Sequence, residues 1–472
     1  MLWNALIAVY LTSSSVFAQP TSDFKTKLNL EEVKKRLLAY GPNVGFSLRE
    51  LDGTELFEYQ SNLAFPPASV AKLISTACSL EELGSDYQLA TEFGYNGQIQ
   101  NGVLNGDLVI VAGGDFSFVI EDLKMVIEKI RFVHQIKEIT GKIIIDTSYL
   151  ASPVLPGFDG FEGDEGRSFS AKLSALPINH NSFEIWVIPS GDKTARVEIQ
   201  PSGAVDLKVT NQLKVIPGRW GGSRTNLDYR PNEKKLILTG HIGEGDEPKV
   251  YYRALDDPYD SLIRLFGVNF AVLGGKWTPR YVMAAKPAGT RPLLTHRSRA
   301  VSRLLIDINK LSTNLGAEMV LMAAAAHKFG NPTSEEKSRA LLQDCIRNFG
   351  IGAEDILLEN ASGLSRLSKV KPGALSRLLS KLSMKVYFPE LLVTLSVLGR
   401  DGTTRSRLKD LEARARLKTG SLSDVRALAG YVSPSPGRAW SMVLFFNCKS
   451  CDLQKWHDVE DGILRLLIEG KS

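Results

Sequence analysis

The sequence predicts an α/β (α+β) sandwich, an antiparallel sheet flanked by helices and interrupted by a β-rich insertion. Three observations carry this. The chain opens as helix, hairpin, helix. It closes on three strand-like runs and a helix, which can return to that first hairpin. Between the two ends, from about 87 to 282, strand-like runs separated by Gly-, Pro-, Asn- and Asp-rich turns dominate.

Taken in order, residues 28–40 have the spacing of an amphipathic helix, and 44–50 and 55–60 alternate like two strands joined at Asp52-Gly53. Residues 65–80 follow, FPPASVAKLISTACSL. Pro66 and Pro67 are expected to impose an extended entry and to stop any upstream helix. A helix from near Ala68 to about Leu83 then sets Ser69 in its first turn and Lys72 one turn later on the same face. That pairs a hydroxyl nucleophile with an amine. The helix N-terminus also turns N–H groups toward the place where negative charge grows in acyl transfer. By itself S-x-x-K says little, since Ser22/Lys25, Ser190/Lys193, Ser334/Lys337 and Ser368/Lys371 have the same spacing.

In the β-rich block the clearest strands are 106–112, 142–146, 183–187, 205–209 and 235–239, with helical runs at 118–132 and 259–266. The block reads as one or two inserted domains. The division expected is 19–88 for the first part of the main domain, 89–285 for the insertion (an inner unit at about 190–245), and 286–472 for the second part. Helical patterns return at 303–311, 316–327, 334–349, 371–382 and 389–395. Strands are expected at 416–420, 427–432 and 439–446, and a helix over 453–469.

Composition sets bounds. A chain of 472 residues with 43% hydrophobic and 23% charged residues has the make-up of a globular protein of two or three domains. The net charge of +5 is small for this size, and no basic run argues for nucleic-acid binding. Residues 1–18, an apolar core followed by Val16-Phe17-Ala18, read as a signal peptide cleaved after Ala18, although no Lys or Arg precedes the core. No later run is long enough to span a bilayer, so an exported, soluble mature chain without a transmembrane anchor is expected. The six histidines are scattered and no metal or cofactor is expected. Of the four cysteines, Cys78 and Cys345 read as small buried residues, and Cys448 and Cys451 as a small disulfide.

Two further motifs keep company with Ser69-Val-Ala-Lys72. Ser312-Thr313-Asn314 falls in the break between two helices, and Lys418-Thr419-Gly420 heads a strand, where Gly420 lets a substrate backbone come close. S-x-x-K, S-x-N and K-T-G in this order are the signature of penicillin-recognising serine acyl-transferases. In that chemistry Ser69 attacks the carbonyl, and Lys72 acts as base once burial beside Lys418 has depressed its pKa. Ser312 can pass a proton to the leaving amine, and Asn314 can hold Lys72 and the substrate amide. Lys418 and Thr419 would bind the terminal carboxylate. The N–H groups of Ser69 and Ser421 would form the oxyanion hole.

On these residues the sequence resembles the class C low-molecular-mass penicillin-binding proteins, the type-4 D-Ala-D-Ala carboxypeptidase/endopeptidases. Their habit of inserting two domains between the first two motifs is similar to the spacing here. Val111-Ala-Gly-Gly-Asp115, Asn360-Ala-Ser-Gly-Leu-Ser-Arg366 and Arg400-Asp-Gly-Thr403 resemble further family segments, with Asn360-Ala361 where the family has Asp-Gly. The resemblance implies a serine β-lactamase/DD-peptidase-like fold and a periplasmic enzyme acting on peptidoglycan stem peptides, with β-lactams as covalent inhibitors. Asp164-Glu-Gly-Arg-Ser-Phe169-Ser170-Ala171 is similar to a segment of the family's inserted domain. That implies Asp164 as the candidate to hold the free amino end of a diaminopimelate side chain, with Phe169 lining its pocket; the alternative is that Asp164 is one of several acids in a Gly-rich loop. Two other readings stand beside it: a β-lactamase, against which the sequence offers no dedicated deacylating base, and a non-catalytic wall-binding protein of the same fold.

Overall fold

The computed structural model describes residues 29–158, 166–218, 224–448 and 453–470. The expected signal segment 1–18, Asp164 and Cys451 lie outside them. The first hairpin and the late strands do form one sheet. Its six strands run in the order Ser396–Val397, Ala415–Leu422, Val425–Ser435, Arg438–Asn447, Val44–Glu50, Glu55–Tyr59. All neighbours are antiparallel. Alternation along the strands splits the core in two. Leu428, Met442 and Leu444 pack with Val33, Leu37, Trp456 and Leu464 from the terminal helices Leu30–Leu38 and Leu453–Glu469. Ala429, Val443 and Phe445 face the other way, into the cluster that holds Val70, Leu73, Ala317 and Leu375. Helices therefore cover both faces of the sheet.

The helical layer on that second face carries the functional segments. A short 3-10 turn, Ala68–Val70, leads into the helix Ala71–Leu83. Val301–Leu311 and Asn314–Phe329 pack on it, as does Glu335–Asn348. Contrary to the expected extended entry, Pro67 is helical (φ −81, ψ −12) and the change of direction falls on Ala68, at φ +45. A positive φ cannot continue a helix, so none runs in through Ala68, and the regular α-helix begins at Ala71 after the 3-10 turn.

Strands between 90 and 297 pair among themselves. A seven-stranded sheet holds Ala90–Gln100 and Val103–Val111 at its centre, and smaller sheets of three and four strands follow. The strand Arg291–Arg297 pairs with Ala90–Gln100, so this sheet extends past residue 285.

One cysteine reading is corrected. Cys78 and Cys345 are not free thiols but a disulfide, joining the Ala71–Leu83 helix to Glu335–Asn348 across 267 residues of sequence with a Cα–Cα distance of 5.7 Å. Two helices that pack side by side bring the pair together, which neither local pattern could reveal. Cys448 is disulfide-bonded as well. Because the Cys78–Cys345 bridge closes so long a loop, a Cys78→Ala/Cys345→Ala double variant is expected to lose about 2–4 kcal/mol of stability. Chemical denaturation with intact and substituted protein checks this, and an unchanged midpoint counts against it.

Among the described residues no helix is long and apolar enough to cross a membrane.

Candidate active site

Ser69 sits half-buried in the 3-10 turn, with Lys72 fully buried in the first turn of the helix that follows. The Lys72 Nζ has three partners: Ser69 Oγ at 2.9 Å, Asn314 Oδ1 at 2.8 Å and the carbonyl oxygen of Ser362 at 2.7 Å. An ammonium would donate to all three. A neutral amine has two N–H groups and one lone pair. Asn314 Oδ1 and Ser362 O can only accept, so they take both N–H groups and leave the lone pair facing the Ser69 hydroxyl. That is the orientation a general base needs.

Burial is the main force that drives Lys72 toward the neutral form. It holds the Lys72 pKa well below the usual lysine value, with repulsion from Lys418 adding to it and the Glu318 carboxylate acting against both. Lys418 is itself buried and is pushed down to about 7 by burial alone.

Ser312 caps the helix Val301–Leu311 with a left-handed backbone (φ +60), and Asn314 opens the next helix. The hinge between them presents both side chains to one cleft. Ser312 Oγ accepts from Lys418 Nζ at 2.9 Å, which in turn also donates to Thr419 O at 2.9 Å. Thr419 Oγ1 donates to Thr403 Oγ1 at 2.7 Å, so the D-G-T segment lies beside the K-T-G strand. That strand is open on the cleft side. Its neighbour Ser396–Val397 pairs only with Leu417 and Arg416, which leaves 418–422 without a strand partner there among the described residues. Ser421 lies on this stretch, exposed, its Oγ accepting from Arg426 Nη1 at 2.6 Å.

Gly420 also has a packing role. A Cβ there would meet Pro67 O at 2.8 Å and Ala68 Cβ at 3.1 Å. What approaches this glycine closely is the nucleophile's own turn, so its small size seats that turn against the strand.

Phe169 meets the site through its backbone: Asn314 Nδ2 donates to Phe169 O at 3.1 Å. That bond fixes the amide so that Oδ1 faces Lys72. A second link runs from Asn360 Nδ2 to Pro156 O at 2.9 Å. Phe169 and Pro156 thus touch Asn314 and the 360–366 segment through their backbone carbonyls. Ser69, Lys72, Ser312, Asn314 and Lys418 converge; Thr419, Gly420 and Ser421 form the adjoining strand edge. Two members were missed. Ser362 lies in the resembling Asn360–Arg366 segment, but only folding shows that its carbonyl faces Lys72. Glu318 stands four residues after Asn314, and that i, i+4 spacing was the signal available for it.

Comparison with known proteins places the chain in a family. The model of the D-Ala-D-Ala carboxypeptidase 3 (S13) family matches residues 29–468. The chain is 24% identical over 450 residues to the D-alanyl-D-alanine carboxypeptidase DacB of Haemophilus influenzae, covering 94% of this chain and 92% of that protein. It is 26% identical over 416 residues to a D-alanyl-D-alanine carboxypeptidase of Actinomadura sp. (strain R39), covering 83% and 75%. Among solved structures, penicillin binding protein 4 (dacB) from Haemophilus influenzae superposes with a TM-score of 0.77 at 21% identity, over 93% of this chain and 99% of that one. At such identity the superposition bears on the fold alone. The match of the family model runs unbroken from the first helix to the last and takes in every motif of the cleft, so the chain belongs to the D-Ala-D-Ala carboxypeptidase 3 (S13) family.

Proposed function

We propose that this serine DD-peptidase attacks peptidoglycan stem peptides with Ser69, and that Lys72 is the base. The single observation that carries the assignment is the lone-pair geometry: a buried lysine whose two N–H groups are taken by Asn314 Oδ1 and Ser362 O, with Ser69 Oγ at 2.9 Å. Ser69 Oγ bonds to the carbonyl carbon of the penultimate D-Ala as its proton passes to Lys72 Nζ. The oxyanion is held by the N–H groups of Ser69 and Ser421. Ser312 relays a proton to the departing amine, the C–N bond breaks, and water then hydrolyses the acyl-enzyme. Lys418 and Thr419 bind the terminal carboxylate of the substrate. A β-lactam takes the same place and acylates Ser69.

The leaving group is D-Ala in the carboxypeptidase reaction and the side-chain amine end of a diaminopimelate crosslink in the endopeptidase reaction. Asp164 and Phe169 are proposed to face that residue, a reading supported by the placement of the 166–171 segment against Asn314. The insertion is proposed to form a module, with an inner unit around 190–245, that shapes this side of the cleft. The enzyme is proposed to work in the periplasm, exported by residues 1–18.

The test uses a stem pentapeptide and a D-Ala–diaminopimelate crosslinked dimer, each incubated with wild type and with Ser69→Ala. Release of D-Ala or cleavage of the dimer by wild type alone supports the proposal. Equal turnover by the variant, or none by wild type on either substrate, contradicts it.

A further inference from the structure

Glu318 has no part in the scheme above, yet its place in the fold asks for one. It is the one acid in an otherwise apolar run of the helix Asn314–Phe329 and is 1% exposed. Burying a carboxylate is costly unless donors replace the water it loses. Here its two oxygens accept separate backbone N–H groups, Ala361 N at 3.2 Å and Ser362 N at 2.8 Å. Those residues belong to the loop that floors the reactive cluster. The carbonyl of Ser362 accepts from Lys72 Nζ at 2.7 Å, and the carbonyl of Ala361 accepts from Ser75 Oγ at 3.0 Å. The next residue, Gly363, runs so close under the nucleophile turn that a Cβ would lie 1.9 Å from Ala68 O. A small shift of this loop would therefore be felt at both Lys72 and Ser69.

We propose that Glu318 is a positioning residue for acylation: its carboxylate pins the 361–362 backbone so that Ser362 O aims the Lys72 lone pair at Ser69, and its negative charge balances Lys418 across Lys72. The inference rests on Ser69 and Lys72 being nucleophile and base. The charged groups around Lys72 can be named element by element. The strand Ala415–Leu422 brings Lys418, and the helix Asn314–Phe329 brings Glu318. The loop brings backbone and the Ser362 hydroxyl. On the helices packed nearby, Arg339 is paired with Glu335 and Glu359, and Lys310 with Asp401.

The sign follows. Lys72 works only when neutral, so acylation falls as pH drops through its pKa, and Glu318 holds that pKa higher than it would otherwise be. Burial raises the pKa of Glu318 itself, against the hydrogen bonds from Ser362 and Ala361 and the charge of Lys72. Where Glu318 is ionised, removing its charge moves the acidic limb to lower pH, and loosening the loop slows the step even where Lys72 is neutral. For Glu318→Gln, whose amide also sets an N–H against one of the two donors, penicillin acylation on the plateau is expected to slow about 10- to 100-fold, with the limb about one pH unit lower. Glu318→Asp keeps the charge at longer reach, so its limb should move the same way by less and its rate should fall less. A limb that stays at the wild-type pH, or rises, in whichever of the two variants folds overturns the proposal, because a purely structural role changes rate and leaves the limb in place. Wild type that is not acylated at Ser69 defeats the site assignment; wild type acylated at Ser69 beside variants with its own profile defeats only the role of Glu318.

Discussion

Lys72→Met is expected to cut the rate of Ser69 acylation by about 10⁴-fold while leaving the protein folded. Methionine matches the length of the side chain but has neither lone pair nor proton to exchange. The Ser69 hydroxyl would then face attack without a base, since the other amine in the cleft, Lys418, is bound to Ser312 Oγ and Thr419 O. The larger cost falls on chemistry; a smaller one falls on stability, because Asn314 Oδ1 and Ser362 O lose their donor. Lys72 is fully buried, and its nearest ionised neighbours repel it (Lys418) or serve the loop first (Glu318). Stopped-flow acylation by a chromogenic β-lactam, with thermal melting alongside, checks both halves. A rate within tenfold of wild type would mean that some other group takes the Ser69 proton.

Lys418→Ala is expected to lower kcat/KM by about 10²- to 10³-fold on peptides that end in a carboxylate, because a charge-assisted contact made in a buried site is lost. The pH profile of wild type gives this a sharper form. Lys418 is useful as a cation, and burial brings its pKa down to about 7 in the free enzyme. As pH rises through that value the cation is lost, so kcat/KM, which reports free enzyme, should have an alkaline limb near neutrality. A bound substrate carboxylate favours the charged form and raises the pKa. The alkaline limb of kcat should therefore lie at higher pH than that of kcat/KM. Since the two lysines are coupled, the limbs belong to the pair as a whole. Coincident alkaline limbs in the two profiles would count against Lys418 as the carboxylate's partner.

The main sheet was legible because its strands alternate cleanly. Leu428/Ala429, Met442/Val443 and Leu444/Phe445 send neighbours to opposite apolar clusters, and that pattern survives without any knowledge of the fold. The strand Arg291–Arg297 was not read, and Pro292 explains why: it stands at a register shift on the sheet's edge, where proline is tolerated but hides the strand. Ala90–Gln100 was hidden by its Gly and Asn content. In the cleft the reactive side chains could be read from three short motifs. What could not be read was backbone: the Ser362 and Phe169 carbonyls, and the N–H groups that hold Glu318, have no residue type to announce them. The Cys78–Cys345 bridge was beyond reach for the same reason, since it depends on how two helices pack and on nothing local.

Intact-protein mass after incubation with a penicillin, on wild type and Ser69→Ala side by side, tests the central claim most directly. The account predicts one covalent penicilloyl adduct on wild type and none on the variant. An adduct on both, or on neither, would contradict Ser69 as nucleophile, and fast consumption of the drug by wild type with no lasting adduct would make the protein a β-lactamase instead.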